Sequence, residues 1–159
     1  MRWKDVRGVA LSQNEAASED GQPQRFDVQL FIVHPTLTPT EITDALGLQP
    51  QHAHRVGDRR MTPKGRLLAG NYPETRWRHS IRYERVGQHF AKEVTSFLTR
   101  LKPHKSFFRE LRTTGGSACL IIPFLGDGYF GDVIKRDTLA KFVELELDLG
   151  IECYVYPQS

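Results

Sequence analysis

The stretch Arg76-Trp77-Arg78-His79-Ser80-Ile81-Arg82-Tyr83-Glu84 alternates without a break. In an extended chain Trp77, His79, Ile81 and Tyr83 fall on one side, and Arg76, Arg78, Ser80, Arg82 and Glu84 on the other. A strand written this way buries one face only, so its sheet must keep the other face wet. The run Phe26-Asp27-Val28-Gln29-Leu30-Phe31-Ile32-Val33-His34 repeats the pattern. Its even positions are apolar up to Ile32, Asp27 and Gln29 oppose them, and its end is apolar on both faces. Pro35 stops it. Two strands with one polar face each predict helices gathered on a single side of a sheet, not a doubly wound arrangement.

The helices are written in other periods. Thr38 is placed to cap a helix, Pro39 fits its first position, and Glu41 completes a capping box. Leu37 and Ile42 form a hydrophobic staple across the cap, and Gly47 suits the left-handed stop, which predicts a helix over 39–46. Phe90, Ala91, Val94, Phe97, Leu98 and Leu101 recur at helical spacing, predicting a helix over 88–101 that ends at Pro103. A shorter helix over 106–113 stops at Gly115-Gly116. Ser117 to Phe124 is a buried strand ended by Pro123. Asp137 is placed to cap a helix that runs to Leu149 and stops at Gly150. Ile151 to Tyr156 closes the chain as an alternating strand, with Ile151, Cys153 and Val155 inward and Glu152, Tyr154 and Tyr156 outward. Residues 49–75 carry no periodicity and read as a long loop with room for a short strand. The expected fold class is α+β: a mostly antiparallel sheet of four to five strands with helices packed on one face.

Residues 12–25 hold almost nothing that could be buried, so residues 1–23 are expected to form a flexible N-terminal extension before a single domain over 24–159. A content of 39% hydrophobic and 26% charged residues is that of a folded domain and excludes a disordered chain. No run approaches the length of a membrane span and the start lacks a signal-peptide core, so no membrane partner is expected and the cytoplasm is the expected location. Cys119 and Cys153 each lie in an apolar, strand-like run and are expected as small buried hydrophobes, with no spacing suited to a metal or a CxxC redox pair.

Four constellations could carry chemistry. Gly126-Asp127-Gly128-Tyr129-Phe130-Gly131 is a literal GxGxxG after a strand. The next helix begins well past the glycines, however, and Asp127 and Asp132 would repel a pyrophosphate, so a plain loop is the better reading. His34, His52, His54 and His79 supply no third ligand at metal spacing, and neither a metal nor another cofactor is expected. The serines and cysteines show no nucleophile elbow or neighbouring base, so no catalytic residue can be named. Charge is the stronger signal. Between His52 and Arg85 stand nine basic residues, Arg55, Arg59, Arg60, Lys64, Arg66, Arg76, Arg78, Arg82 and Arg85, against Asp58, Glu74 and Glu84. The whole chain is only +3, so the remainder is net negative. Eight of the nine are arginine, whose planar fork suits phosphate and carboxylate, with Tyr72, Trp77 and Tyr83 interleaved. A solvated face whose arginines pair with acids elsewhere is the plainer account of the same charges.

The run Leu37-Thr38-Pro39-Thr40-Glu41-Ile42-Thr43, then Leu46-Gly47-Leu48-Gln49-Pro50 and Val56-Gly57-Asp58, resembles domain-of-unknown-function family 4279. Trp77 and the closing Glu152-Cys153-Tyr154-Val155-Tyr156 add to that resemblance, which covers about residues 25–157. The family consists of small, mostly bacterial proteins without an established activity, so the resemblance transfers no catalytic residue. It draws interest to Gly57, Asp58 and Trp77. The expected function is a non-enzymatic binding domain that recognises an anionic partner, an acidic protein or a nucleic acid, through the basic 52–85 segment. Its candidate residues are Arg55, Asp58, Arg59, Arg60, Arg76, Trp77, Arg78 and Arg82. The alternative is a small-molecule enzyme or ligand-binding domain using residues 49–75 as a lid.

Overall fold

The computed structural model of the chain describes residues 24–84, 89–126 and 130–154. In chain order its first half holds β1 (Arg25–His34), α1 (Pro39–Leu46), β2 (His52–His54), β3 (Arg59–Met61), β4 (Leu67–Asn71) and β5 (Thr75–Glu84). The second half holds α2 (Phe90–Leu101), α3 (Lys105–Thr113), β6 (Ser117–Leu125), α4 (Arg136–Glu144) and β7 (Asp148–Cys153). Five strands form one sheet in the order β2-β5-β1-β6-β7, and β3 and β4 form a separate two-stranded ribbon. β1, β2, β5 and β6 pair antiparallel, whereas β6 and β7 run parallel, so the sheet is mixed. The parallel pair follows from α4, whose crossover returns the chain to the same end of the sheet.

The alternation of β1 and β5 sorts the sheet's two faces. Phe26, Val28, Leu30 and Ile32 stand directly opposite Tyr83, Ile81, His79 and Trp77, and all point toward the helices. Leu120, Ile122 and Phe124 of β6 join them, and Val94, Phe97, Leu98, Phe108, Leu111 and Phe142 close the core from the helix side. Helices on one face, as the strand patterns predict, are what the chain builds.

α1 forms as its sequence dictates. The Thr38 hydroxyl accepts a hydrogen bond from the Glu41 amide, the Glu41 carboxylate accepts one from the Thr38 amide, and Gly47 ends the helix at φ 64°. Pro103 does not separate α2 from α3; it sits in a single 3₁₀ turn (Lys102–His104) that joins them. There its missing N–H costs nothing, because first-turn amides have no partner within the helix.

Three expectations are corrected. The helix expected to run to Leu149 ends at Glu144, and Asp137 lies inside its first turn behind Lys135, which precedes the helix without a side-chain cap. The chain turns there because Glu146 adopts φ 54° and the Leu147 amide donates back to the Phe142 carbonyl. Arg112 of α3 then grips the Glu146 carbonyl and the Asp148 carboxylate, and Asp148 opens β7. Residues 49–75, expected as a long loop with room for one short strand, hold three: β2, β3 and β4. These strands leave no alternating signal because nearly all their side chains are exposed. Cys153 is exposed and Cys119 half-buried, rather than both lying in the core. β7 is an edge strand beyond the cover of the helices, which also leaves Ile151 58% exposed.

Candidate anion-binding face

The face of the sheet away from the helices is made by alternate residues of each strand. On β5 it presents Arg76, Arg78, Ser80 and Arg82, and on β1 the residues directly opposite them, Val33, Phe31, Gln29 and Asp27. On the far side of β5, His52 stands opposite Arg78 and His54 opposite Arg76. β6 adds Ser117, Cys119 and Ile121, and β7 adds Asp148, Gly150 and Glu152. The open face is therefore basic along β2 and β5, apolar in the middle and acidic along β7.

The three arginines of β5 have different roles. Arg82 pairs at 3.2 Å with Asp27, whose side chain is only 8% exposed, so this guanidinium neutralises a buried carboxylate. Arg76 pairs at 2.9 Å with Glu74 at the start of the strand. Arg78 makes no ion pair among the described residues and lies between Phe31 and His52. An Arg82–Glu152 contact does not form, because β1 and β6 separate β5 from β7 by three strand spacings, roughly 14 Å. Tyr154 instead donates to Glu152, which pushes its phenol pKa up.

Over this face stands the β3–β4 ribbon. Its base is closed by Gly57, whose amide donates to the Tyr72 carbonyl, and by the Tyr72 amide donating to the Asp58 carbonyl. Gly57 takes φ 85°, a left-handed conformation that favours glycine. The ring of Tyr72 stacks on His54 at 3.7 Å between centroids with 14° between planes, fastening the ribbon to β2. Between ribbon and sheet opens a cleft of about 460 Å³ whose walls include Phe31, His52, Arg78, Met61 and Pro63. A second recess of about 420 Å³ lies beside the His54–Tyr72 pair and is bordered by Arg60, Asn71, Pro73 and Arg76. Burial and the neighbouring Arg76 charge lower the pKa of His54, against smaller opposing effects of Glu74 and Asp58, which leaves a neutral imidazole at neutral pH.

The candidate residues divide. Arg76, Arg78 and Arg60 border the two recesses. Arg59 is exposed on β3 opposite Asn71. Arg55 is exposed and its charge acts on Glu41 at the start of α1, away from the cleft. Asp58 is a turn residue whose backbone closes the ribbon. Trp77 is fully buried on the helix side and donates from its indole to the Thr43 hydroxyl at 3.0 Å, so its side chain has no access to the open face. His79, on the same side, donates from Nδ1 to the Gln49 carbonyl at 2.7 Å, while its buried Nε2 has no partner among the described residues. Phe31 was missed by the charge argument. Its signal is its place as an aromatic residue at an odd, solvent-side position of β1.

Among the described residues no three histidine, cysteine, aspartate or glutamate side chains come together as a metal site. Of the glycine-rich motif, Asp127, Gly128 and Tyr129 lie outside the described residues, as do Arg85, Val155, Tyr156 and the segment 1–23. α4 begins at Arg136, five residues past Gly131. No described helix is long and apolar enough to cross a membrane. The chain matches the model of the domain of unknown function DUF4279 over residues 24–156 and belongs to that family. Neither the curated proteins nor the solved structures give a significant match.

Proposed function

We propose that this chain is a non-enzymatic binding domain whose β2–β5 side and β3–β4 ribbon recognise an anionic partner. The observation that carries the reading is Arg78, a guanidinium with no ion pair among the described residues, held between Phe31 and His52 in the wall of the cleft. An arginine that only serves the sheet has its carboxylate beside it, as Arg82 has the buried Asp27, whereas Arg76 shares an exposed pair with Glu74 and also borders the cleft. Around Arg78 stand further cations, and residues 59–73 contain no acidic residue at all. On this reading the domain works in a bacterial cytoplasm, which would keep Cys119 and Cys153 reduced; the two thiols sit on opposite faces of the sheet and cannot bridge.

Titration with polyglutamate and with a single-stranded oligonucleotide, each at low and moderate salt, tests the proposal. At least one should bind at low salt and weaken as salt rises. The double variant Arg76→Ala/Arg78→Ala, checked for folding by circular dichroism, should bind about tenfold or more weakly. Parental affinity in that variant, or no binding to either polymer at low salt, would reduce these arginines to a solvated face.

The cleft itself favours a second reading, a small-molecule site lidded by the ribbon, since its volume falls within the range of ligand pockets. Saturable binding of a small anion that neither polymer displaces would favour it.

A further inference from the structure

Resting on the anion-binding reading, we infer that the partner is a single-stranded nucleic acid, with one base stacked on Phe31 in the cleft and the backbone following the arginines of β5 and the ribbon. Four observations converge on it. Phe31 is half-buried on the open face, flanked by Arg78 on β5 and Cys119 on β6, and it borders the cleft. Aromatic rings on an open sheet, with arginines beside them, are the platform on which unpaired bases stack. Arg76 and Arg78 stand two residues apart on one face of a strand, about 6.7 Å, a spacing that suits successive phosphates of an extended strand. The ribbon continues the cationic path with Arg59, Arg60, Lys64 and Arg66, all exposed. Met61 and Leu67 beside them are more than half exposed, giving the same ribbon apolar surface for further bases.

The distribution of charge separates this partner from an acidic protein. A stable protein partner covers a broad patch, about 800 Å² on each side. On this face a broad patch would run from the basic β5 across to Asp148 and Glu152 on β7 and meet like charge there. A linear polyanion needs only the narrow path along β2, β5 and the ribbon, and can leave the acidic edge untouched. The cleft further offers an aromatic wall, which a carboxylate side chain has no use for and a base does.

The test compares three probes on the unmodified protein: a labelled oligothymidylate of about ten nucleotides, a base-free deoxyribose-phosphate polymer of the same length and charge, and polyglutamate. The oligonucleotide should bind about tenfold more tightly than the base-free polymer, because only it can stack. Phe31→Leu, which keeps every charge, should remove most of that difference and leave the salt dependence unchanged. Arg78→Gln should lower the salt slope by about 0.7, the contribution of one phosphate contact on a single strand. Equal binding of the oligonucleotide and the base-free polymer, or binding of polyglutamate alone, would overturn the nucleic-acid inference while the anion-binding reading stands. If none of the three binds at low salt, both fall. Should Phe31→Leu fail to fold, the comparison between oligonucleotide and base-free polymer still decides.

Discussion

His34 lies so close over Gly116 that a Cβ built on the glycine would sit 2.5 Å from its Cδ2 carbon. The same Cβ would meet the Leu111 side chain and carbonyl at 2.9 Å. The glycine is therefore required by space at the junction of α3 and β6, where the end of β1 packs against the turn. Gly116→Ala should lower stability by about 1–3 kcal/mol, the cost of overpacking a tight site. An unchanged urea midpoint would show that the imidazole can move aside freely.

His34 also sets a pH dependence. Its Nδ1 accepts the amides of Leu37 at 2.8 Å and Thr36 at 3.1 Å, so the proton is on Nε2, which donates to the Thr114 hydroxyl at 2.9 Å. Burial lowers its pKa below 6.5, against a smaller opposing effect of Glu41. The unfolded chain then binds more protons than the folded one just below that pH. Stability should be full above about 6.5 and decline as pH falls toward the folded-state value. Glu41 adds a second window. Hydrogen bonds from Thr38 lower its pKa from 4.5, so its contribution is present above 4.5 and lost as pH falls through the folded-state value. Denaturation midpoints measured from pH 8 to 3 should show both declines. The upper one should shrink in His34→Gln but not vanish, since His54 is shifted in the same direction. The lower should shrink in Thr38→Ala, which costs a further ~1 kcal/mol through the lost cap at neutral pH.

Arg82 and Arg78, four residues apart on the same face, should respond oppositely to truncation. Arg82→Ala leaves the buried Asp27 carboxylate without its cation, with only the Gln29 side-chain amide donating to it, and should cost about 1–3 kcal/mol, much of it restored by Asp27→Asn in the same chain. Arg78→Ala removes no ion pair among the described residues and should leave stability within about 0.5 kcal/mol while weakening anion binding. A large loss of stability in Arg78→Ala would show that this arginine is structural too.

The two thiols should separate kinetically. Cys153 is exposed on the edge strand and should react quickly with a thiol reagent in the folded protein. Cys119 is half-buried, and burial, then Asp148 and Glu152, push its thiol pKa up, so it should react slowly until the chain unfolds. Equal fast reaction of both would mean that the open face does not shelter Cys119.

What the sequence determined by itself are features whose physics is local. The capping box of Thr38 and Glu41, the stop at Gly47 and the two-sidedness of β1 and β5 depend on residues within a few positions of one another, and each stands in the fold as written. The choice of neighbours is another matter, because it depends on which distant segments close into the sheet. Arg82 meets Asp27, 55 residues away, and not Glu152, since β1 takes the place beside β5. The end of α4 at Glu144 is imposed by Arg112 of α3 gripping Glu146 and Asp148, a contact no helical period encodes. The candidate site stands between these cases. Its arginines and their face were legible from alternation, whereas the partners of the recognition face, Phe31 on β1, His52 and His54 on β2 and the ribbon above them, come together only when β2 and β1 flank β5. Periodicity tells which way a side chain points; only the closed sheet decides what lies beside it.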